Sequence, residues 1–86
     1  MSKSVLITGA TTGIGYELAK LFARDKFDII IIARNEVKLK ETAAELQKEF
    51  NVNVKFISKD LSEMNSAKEI FNELKNENIS PDVLVN

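Results

Sequence analysis

The sequence predicts an α/β fold in three layers, a parallel sheet with helices on both faces, built from four strands and three helices in the order βαβαβαβ. Four short apolar runs are continuous rather than alternating, as in strands covered on both faces. Stretches of 11 to 16 residues with helical periodicity separate them, and such alternation implies right-handed crossovers between parallel strands. All three glycines, Gly9, Gly13 and Gly15, fall at the seam between the first strand and the first helix.

The first strand is Val5-Leu6-Ile7. In the helix that follows, Ile14, Leu18, Leu21 and Phe22 recur at i, i+4, i+7 and i+8, which predicts the buried stripe, with Glu17, Lys20 and Arg24 outside it. Arg24 and Lys26 near its end suit the negative pole of the helix dipole. "FDIIIIAR" is a second buried strand, rich in β-branched residues. Asn35 is placed to cap a second helix, whose apolar positions are Leu39, Ala43, Leu46 and Phe50. "NVKFIS" is the third strand. Ser62 is the expected cap of a third helix carrying Met64, Ala67, Ile70, Phe71 and Leu74. Ser80-Pro81 breaks that helix, because proline pushes the residue before it out of the α region. "DVLVN" then reads as a fourth buried strand.

With 86 residues there is room for one domain at most, and a domain of that size buries only about 60–65% of its unfolded surface. A net charge of −1 lacks the basic excess of a nucleic-acid footprint. Without cysteine or histidine, disulfides, structural zinc and thiol or imidazole catalysis are excluded from this chain. The apolar run before Gly9 is too short for a signal-peptide core. The longest run, Ile29 to Ala33, is far below the ~20 residues that span a bilayer. The expectation is a cytoplasmic protein with neither nucleic acid nor membrane as partner.

Three glycines between a buried strand and an amphipathic helix answer a geometric demand. One permits a tight turn, one lets the backbone approach a pyrophosphate, and one lets the helix pack close to the sheet. Gly9, Gly13 and Gly15 take these roles in order. The N–H groups of the helix's first turn, with its dipole, then face an anion. A glycine-rich turn on its own is weak evidence; within a βαβ unit it points to a dinucleotide.

Thr8 to Gly15, "TGATTGIG", resembles the T-G-x-x-x-G-I-G fingerprint of the short-chain dehydrogenase/reductase family. "KDLS", with Asp60 and Leu61 after the third strand, is similar to the family's aspartate-plus-apolar pair beside the adenine ring. "DVLVN" resembles the strand that leads into its N-N-A-G motif, of which only the first residue, Asn86, is present. The resemblance runs the length of the chain. It implies an NAD(P)-binding Rossmann fold, of which residues 1–86 are the N-terminal βαβαβαβ half, ending within that motif. It also implies cofactor contacts at Gly9, Gly13, Ile14, Gly15, Asp60, Leu61 and Asn86. Asp60 could equally help start the third helix, and the two roles are compatible. Asn86 could equally be a polar terminal residue.

The end of the second strand bears on which cofactor. An acid about twenty residues beyond the glycines would bond the 2′-hydroxyl of NAD, whereas an arginine nearby accommodates the 2′-phosphate of NADP. Here Ala33 stands where the acid would, followed by Arg34. A guanidinium offers a planar fork to phosphate oxygens, and an acid would repel them. The expectation is NADP over NAD. Glu36 competes for the acidic role, but a carboxylate is favoured in the first turn of a helix anyway. A solvated surface cation is the plain alternative for Arg34. Thr11 and Thr12 are weaker candidates for hydroxyl bonds on the adenosine side of the phosphates, because loop threonines also occur for turn reasons.

"YELAK" contains a Y-x-x-x-K, the spacing of the family's catalytic tyrosine and lysine, which works because i and i+4 share a helix face. The family's pair lies on a later helix, with a catalytic serine. Tyr16 directly follows Gly15, beside the pyrophosphate, so the match is read as accidental: Tyr16 packs or lies at the surface, and Lys20 is a solvated cation. No catalytic residue is therefore expected among these 86, and no turnover from them alone. The resemblance implies a parent oxidoreductase that passes a hydride between nicotinamide and a carbonyl or alcohol. A non-catalytic NAD(P)-binding or sensing module is the alternative, and a naturally short protein the alternative to a fragment. An apolar fourth strand with no outer neighbour predicts self-association through its edge, or poor solubility.

Overall fold

The computed structural model describes residues 3–9, 13–60 and 65–85. They form β1 (Ser4–Thr8), α1 (Gly13–Arg24), β2 (Asp28–Ala33), α2 (Glu36–Phe50), β3 (Val54–Ser58), α3 (Ser66–Asn76) and β4 (Val83–Val85). All pairings are parallel, and the strand order is β3-β2-β1-β4. The α/β order read from the sequence is the order observed.

Residue parity along the strands sorts the core into two layers, because successive strand side chains point to opposite faces. Val5, Ile7, Ile29 and Ile31 meet Ala19 and Ala23 of α1 and Leu39, Ala43 and Leu46 of α2 on one face. Leu6, Ile30, Ile32 and Ile57 meet Ile70 and Leu74 of α3 on the other. That is why the second strand is isoleucine four times in succession: both of its faces are interior. Burying each such side chain contributes about 1.5–3 kcal/mol before entropy is counted.

Three expectations need correction. The buried residues of α1 are Ala19 and Ala23, while Ile14 and Leu21 are 81% and 50% exposed. Alanine faces the sheet because a short side chain lets the helix lie close. The larger Ile14 and Leu21 lie off that buried face, with Phe22 only partly buried against the core. On α3, Ile70 and Leu74 are buried but Phe71 is exposed; Met64, the Ala67 side chain and the expected cap Ser62 lie outside the described residues. β4 is not a buried strand. It pairs with β1 at the sheet's edge, and Leu84 is 55% exposed.

Each helix ends on a left-handed residue that is not glycine: Lys26, Asn51 and Asn78 have φ of 66°, 55° and 59°. After α1, the Lys26 and Phe27 N–H groups donate to the Ala23 and Phe22 carbonyls at 2.9 and 3.0 Å. After α3, Asn78 and Ile79 donate to Lys75 and Leu74 in the same pattern. These are Schellman closures, with the expected apolar contact: the Phe22 and Phe27 rings meet edge to face at 5.0 Å. Asn35 caps α2 as the sequence suggests, its Oδ1 accepting from the Lys38 N–H at 3.1 Å. Among the described residues, no helix is long and apolar enough to cross a membrane.

Candidate functional site

Chain order reverses beside β1: β2 and β3 lie to one side of it and β4 to the other. In open α/β sheets the crevice at the carboxyl end of such a reversal is where ligands bind. β1 reaches that end at Thr8, whose Oγ1 donates to the Val85 carbonyl at 3.5 Å, tying β1 to β4 at the mouth. The chain then turns at Gly9, whose N–H donates to the Ile32 carbonyl at 2.9 Å.

Gly9 and Gly13 have φ of +68° and +59°, a region that costs an L-residue about 1–2 kcal/mol. Among the described residues, a Cβ on either would meet no atom within 4 Å. Packing among the described residues therefore does not require these glycines. Backbone conformation does, and the space in front of them is open. Gly13 opens α1, whose first turn contains no acidic residue, whereas Glu36 and Glu69 occupy the first turns of α2 and α3. The positive pole of α1 is left for an anion from elsewhere, so the turn fits a pyrophosphate. Gly15 lies half-buried on α1, and Ile14 beside it is exposed. Thr11, Thr12, Leu61 and Asn86 lie outside the described residues.

The second group of candidates sits at the ends of β2 and β3. Ala33 and Ser58 are register partners, so Arg34 and Asp60 emerge side by side. The Lys59 N–H donates to the Ala33 carbonyl at 3.0 Å, and Ser58 Oγ donates to the Arg34 carbonyl at 3.1 Å. With both loop starts braced, Arg34 Nη1 lies 3.9 Å from Asp60 Oδ2, their side chains 79% and 34% exposed. Glu36, the competing acid, pairs with Lys40 along α2 at 3.8 Å. Lys59 binds Glu69 of α3 at 2.6 Å. Neither the Arg34–Asp60 proximity nor the Ser58 brace is visible in either segment of sequence taken by itself. Aligning the polar ends of the two strands would have suggested both.

Tyr16 and Lys20 belong to neither group. Tyr16 faces α2, its hydroxyl 3.3 Å from Glu45 Oε1, and Lys20 Nζ stands 5.4 Å from the centre of the tyrosine ring. Burial first, and then the Glu45 carboxylate, raise the phenol above its ordinary pKa. A tyrosine that must ionise near neutral pH needs the opposite shift. A groove of about 600 Å³ opens at the other end of the sheet, between Ser4, Asp28, Asn53, Lys55 and Asp82. It lies at the amino ends of the strands, away from the glycine turn, and we assign it no role.

The family model described as short chain dehydrogenase matches residues 3–86. The chain is 35% identical to human (Homo sapiens) polyprenol dehydrogenase over 82 residues, 94% of this chain and 25% of that protein. It is also 35% identical over 88 residues to the NADP-dependent 3-hydroxy acid dehydrogenase of Schizosaccharomyces pombe, covering 98% of this chain and 33% of the relative. L-sorbose reductase from Gluconobacter frateurii, solved in complex with NADPH and L-sorbose, superposes with a TM-score of 0.92 at 29% identity. That match covers 99% of this chain and 32% of the reductase. The chain thus spans a quarter to a third of the length of these proteins.

Proposed function

The chain belongs to the short chain dehydrogenase family, and from that premise we propose that it forms the NADP(H)-binding part of a cytoplasmic oxidoreductase acting on a carbonyl or alcohol. The observation that carries the reading is the turn between β1 and α1. Two left-handed glycines with open space before them feed a helix whose first turn holds no acid. In the proposed site this turn and the α1 N–H groups hold the pyrophosphate, with Gly15 letting α1 approach the sheet and Ile14 at the cofactor's edge. Arg34 takes the 2′-phosphate, and Asp60 with Leu61 borders the adenine. Thr11 and Thr12 add hydroxyl contacts, and Asn86 lies toward the nicotinamide side. The relatives support NADP by what they bind: an NADP-dependent dehydrogenase and a reductase seen with NADPH.

Bound NADPH would supply the hydride, and the protein's share is orientation and proton delivery. In this reading residues 1–86 are a partial dinucleotide-binding domain that holds and orients the cofactor, and acid–base residues lie outside it. The 86 residues alone then turn over no carbonyl substrate. β4, paired only with β1 among the described residues, would associate with a second copy through its edge.

The test is a paired titration with NADPH and NADH at low salt, repeated with Arg34→Ala. NADPH is expected to bind more tightly. Arg34→Ala removes a charge-assisted phosphate contact worth about 1.5–3 kcal/mol, which lowers NADPH affinity on the order of ten- to a hundredfold and leaves NADH nearly unchanged. Equal loss for both nucleotides would refute the role of Arg34. Failure of both to bind the wild-type chain would overturn the cofactor reading.

A further inference from the structure

We infer that Asp60 is a positioning residue for Arg34 and sets how strongly the site prefers a 2′-phosphate, an inference that rests on Arg34 being the phosphate contact. Arg34 Nη1 and Asp60 Oδ2 are 3.9 Å apart. Their backbones are fixed relative to each other by the Ala33–Ser58 register and by the two hydrogen bonds that close the strand ends. Within the pair, Asp60 is about two-thirds buried and Arg34 four-fifths exposed. The carboxylate is the anchored partner and the guanidinium the movable one.

A 2′-phosphate arriving at Arg34 meets a cation that already has an anion beside it. It must draw the guanidinium from Asp60, or share it and accept like-charge repulsion from a carboxylate a few ångströms away. Both effects oppose NADPH. Neither acts on NADH, whose 2′-hydroxyl carries no charge. Asp60 thereby tempers a preference that Arg34 alone would make stronger. An aspartate whose only business was the adenine ring would treat the two nucleotides alike, since they share that ring.

The test compares dissociation constants for NADPH and NADH in the wild-type chain, Asp60→Asn, Asp60→Glu, Arg34→Ala and the Arg34→Ala/Asp60→Asn double variant, with folding of each followed by circular dichroism. Asp60→Asn is expected to raise the NADPH-over-NADH preference by about three- to tenfold, the size expected of a partly exposed ion pair plus the lost repulsion. Asp60→Glu keeps the charge and is expected to stay near the wild-type ratio. In the Arg34→Ala background, the ion-pair part of the effect disappears and the Asp60→Asn gain shrinks. If Asp60→Asn weakens both nucleotides equally, or leaves the ratio unchanged while Arg34→Ala shifts it, the inference is wrong and the reading of Arg34 stands. If Arg34→Ala leaves the ratio unchanged, that reading fails and the inference falls with it.

Discussion

Gly9 shows how backbone conformation by itself can require a residue type. Its φ of +68° lies where a Cβ is strained, yet among the described residues a Cβ there would touch nothing within 4 Å. Gly9→Ala should therefore cost about 1–2 kcal/mol, all of it backbone strain, read as a lower urea midpoint with an unchanged slope. A neutral substitution would mean that the turn relaxes to another conformation. The chain's single tyrosine gives a second check. With its phenol held above the ordinary value by burial and by Glu45, the neutral form is favoured in the folded chain. Its contribution to stability is full below the ordinary phenol pKa and is lost as pH rises through the folded one. Near-ultraviolet titration should place the Tyr16 midpoint above that of the unfolded chain. A midpoint below it would reopen a role in proton transfer. At this scale the sequence was legible where a residue type is itself the requirement. Glycine at a left-handed turn is such a case, and so is the Tyr16-Lys20 spacing once its place directly after Gly15 is weighed.

Helix termini carry the next lesson. With every glycine committed to the β1–α1 turn, α1, α2 and α3 end on Lys26, Asn51 and Asn78 in the left-handed region. Asparagine tolerates that conformation; lysine has no such help. Lys26 holds it within a Schellman closure, and its Nζ reaches the Phe50 carbonyl at 2.6 Å. Lys26→Gly should relieve more strain than the exposed hydrogen bond is worth and stabilise the chain by about 0.5–1 kcal/mol, measured by urea unfolding. A loss of stability would show that the Phe50 contact dominates. Periodicity located α1 but misjudged its buried face. Ile14, Leu18, Leu21 and Phe22 outweigh Ala19 and Ala23 in hydrophobicity, yet the alanines meet the sheet. A helical repeat reveals that an apolar stripe exists. Its rotation is set by how closely the helix must approach, which is a property of the sheet.

For the whole molecule, the radius of gyration of 11.9 Å matches the ~12 Å expected of a compactly folded chain of this length. The two core layers are centred on β1 and β2, and β3 and β4 form the two edges of the sheet. Leu84 leaves an exposed apolar side chain on an edge strand whose outer backbone groups have no partner among the described residues. Sedimentation velocity should show self-association that NADPH does not abolish, and Leu84→Lys should reduce it by placing a charge on the edge. A wild-type chain that stays monomeric at high concentration would remove the edge as an interface.

Hydrophobic pattern and glycine placement were enough to determine the element order, the parallel sheet and the place of the glycine turn, because each depends on neighbours within one strand–helix unit. Tertiary structure alone decided the rest. Burial of β4 was misjudged because a strand's own residues do not reveal how far the helices on either face of the sheet cover it, and Leu84 is left 55% exposed. The azimuth of α1 depended on contact distance to the sheet. Arg34 and Asp60, 26 positions apart in the chain, became an ion pair only when the register of β2 on β3 brought the two strand ends level. Local periodicity is written along the chain; register and distance arise only when strands pair.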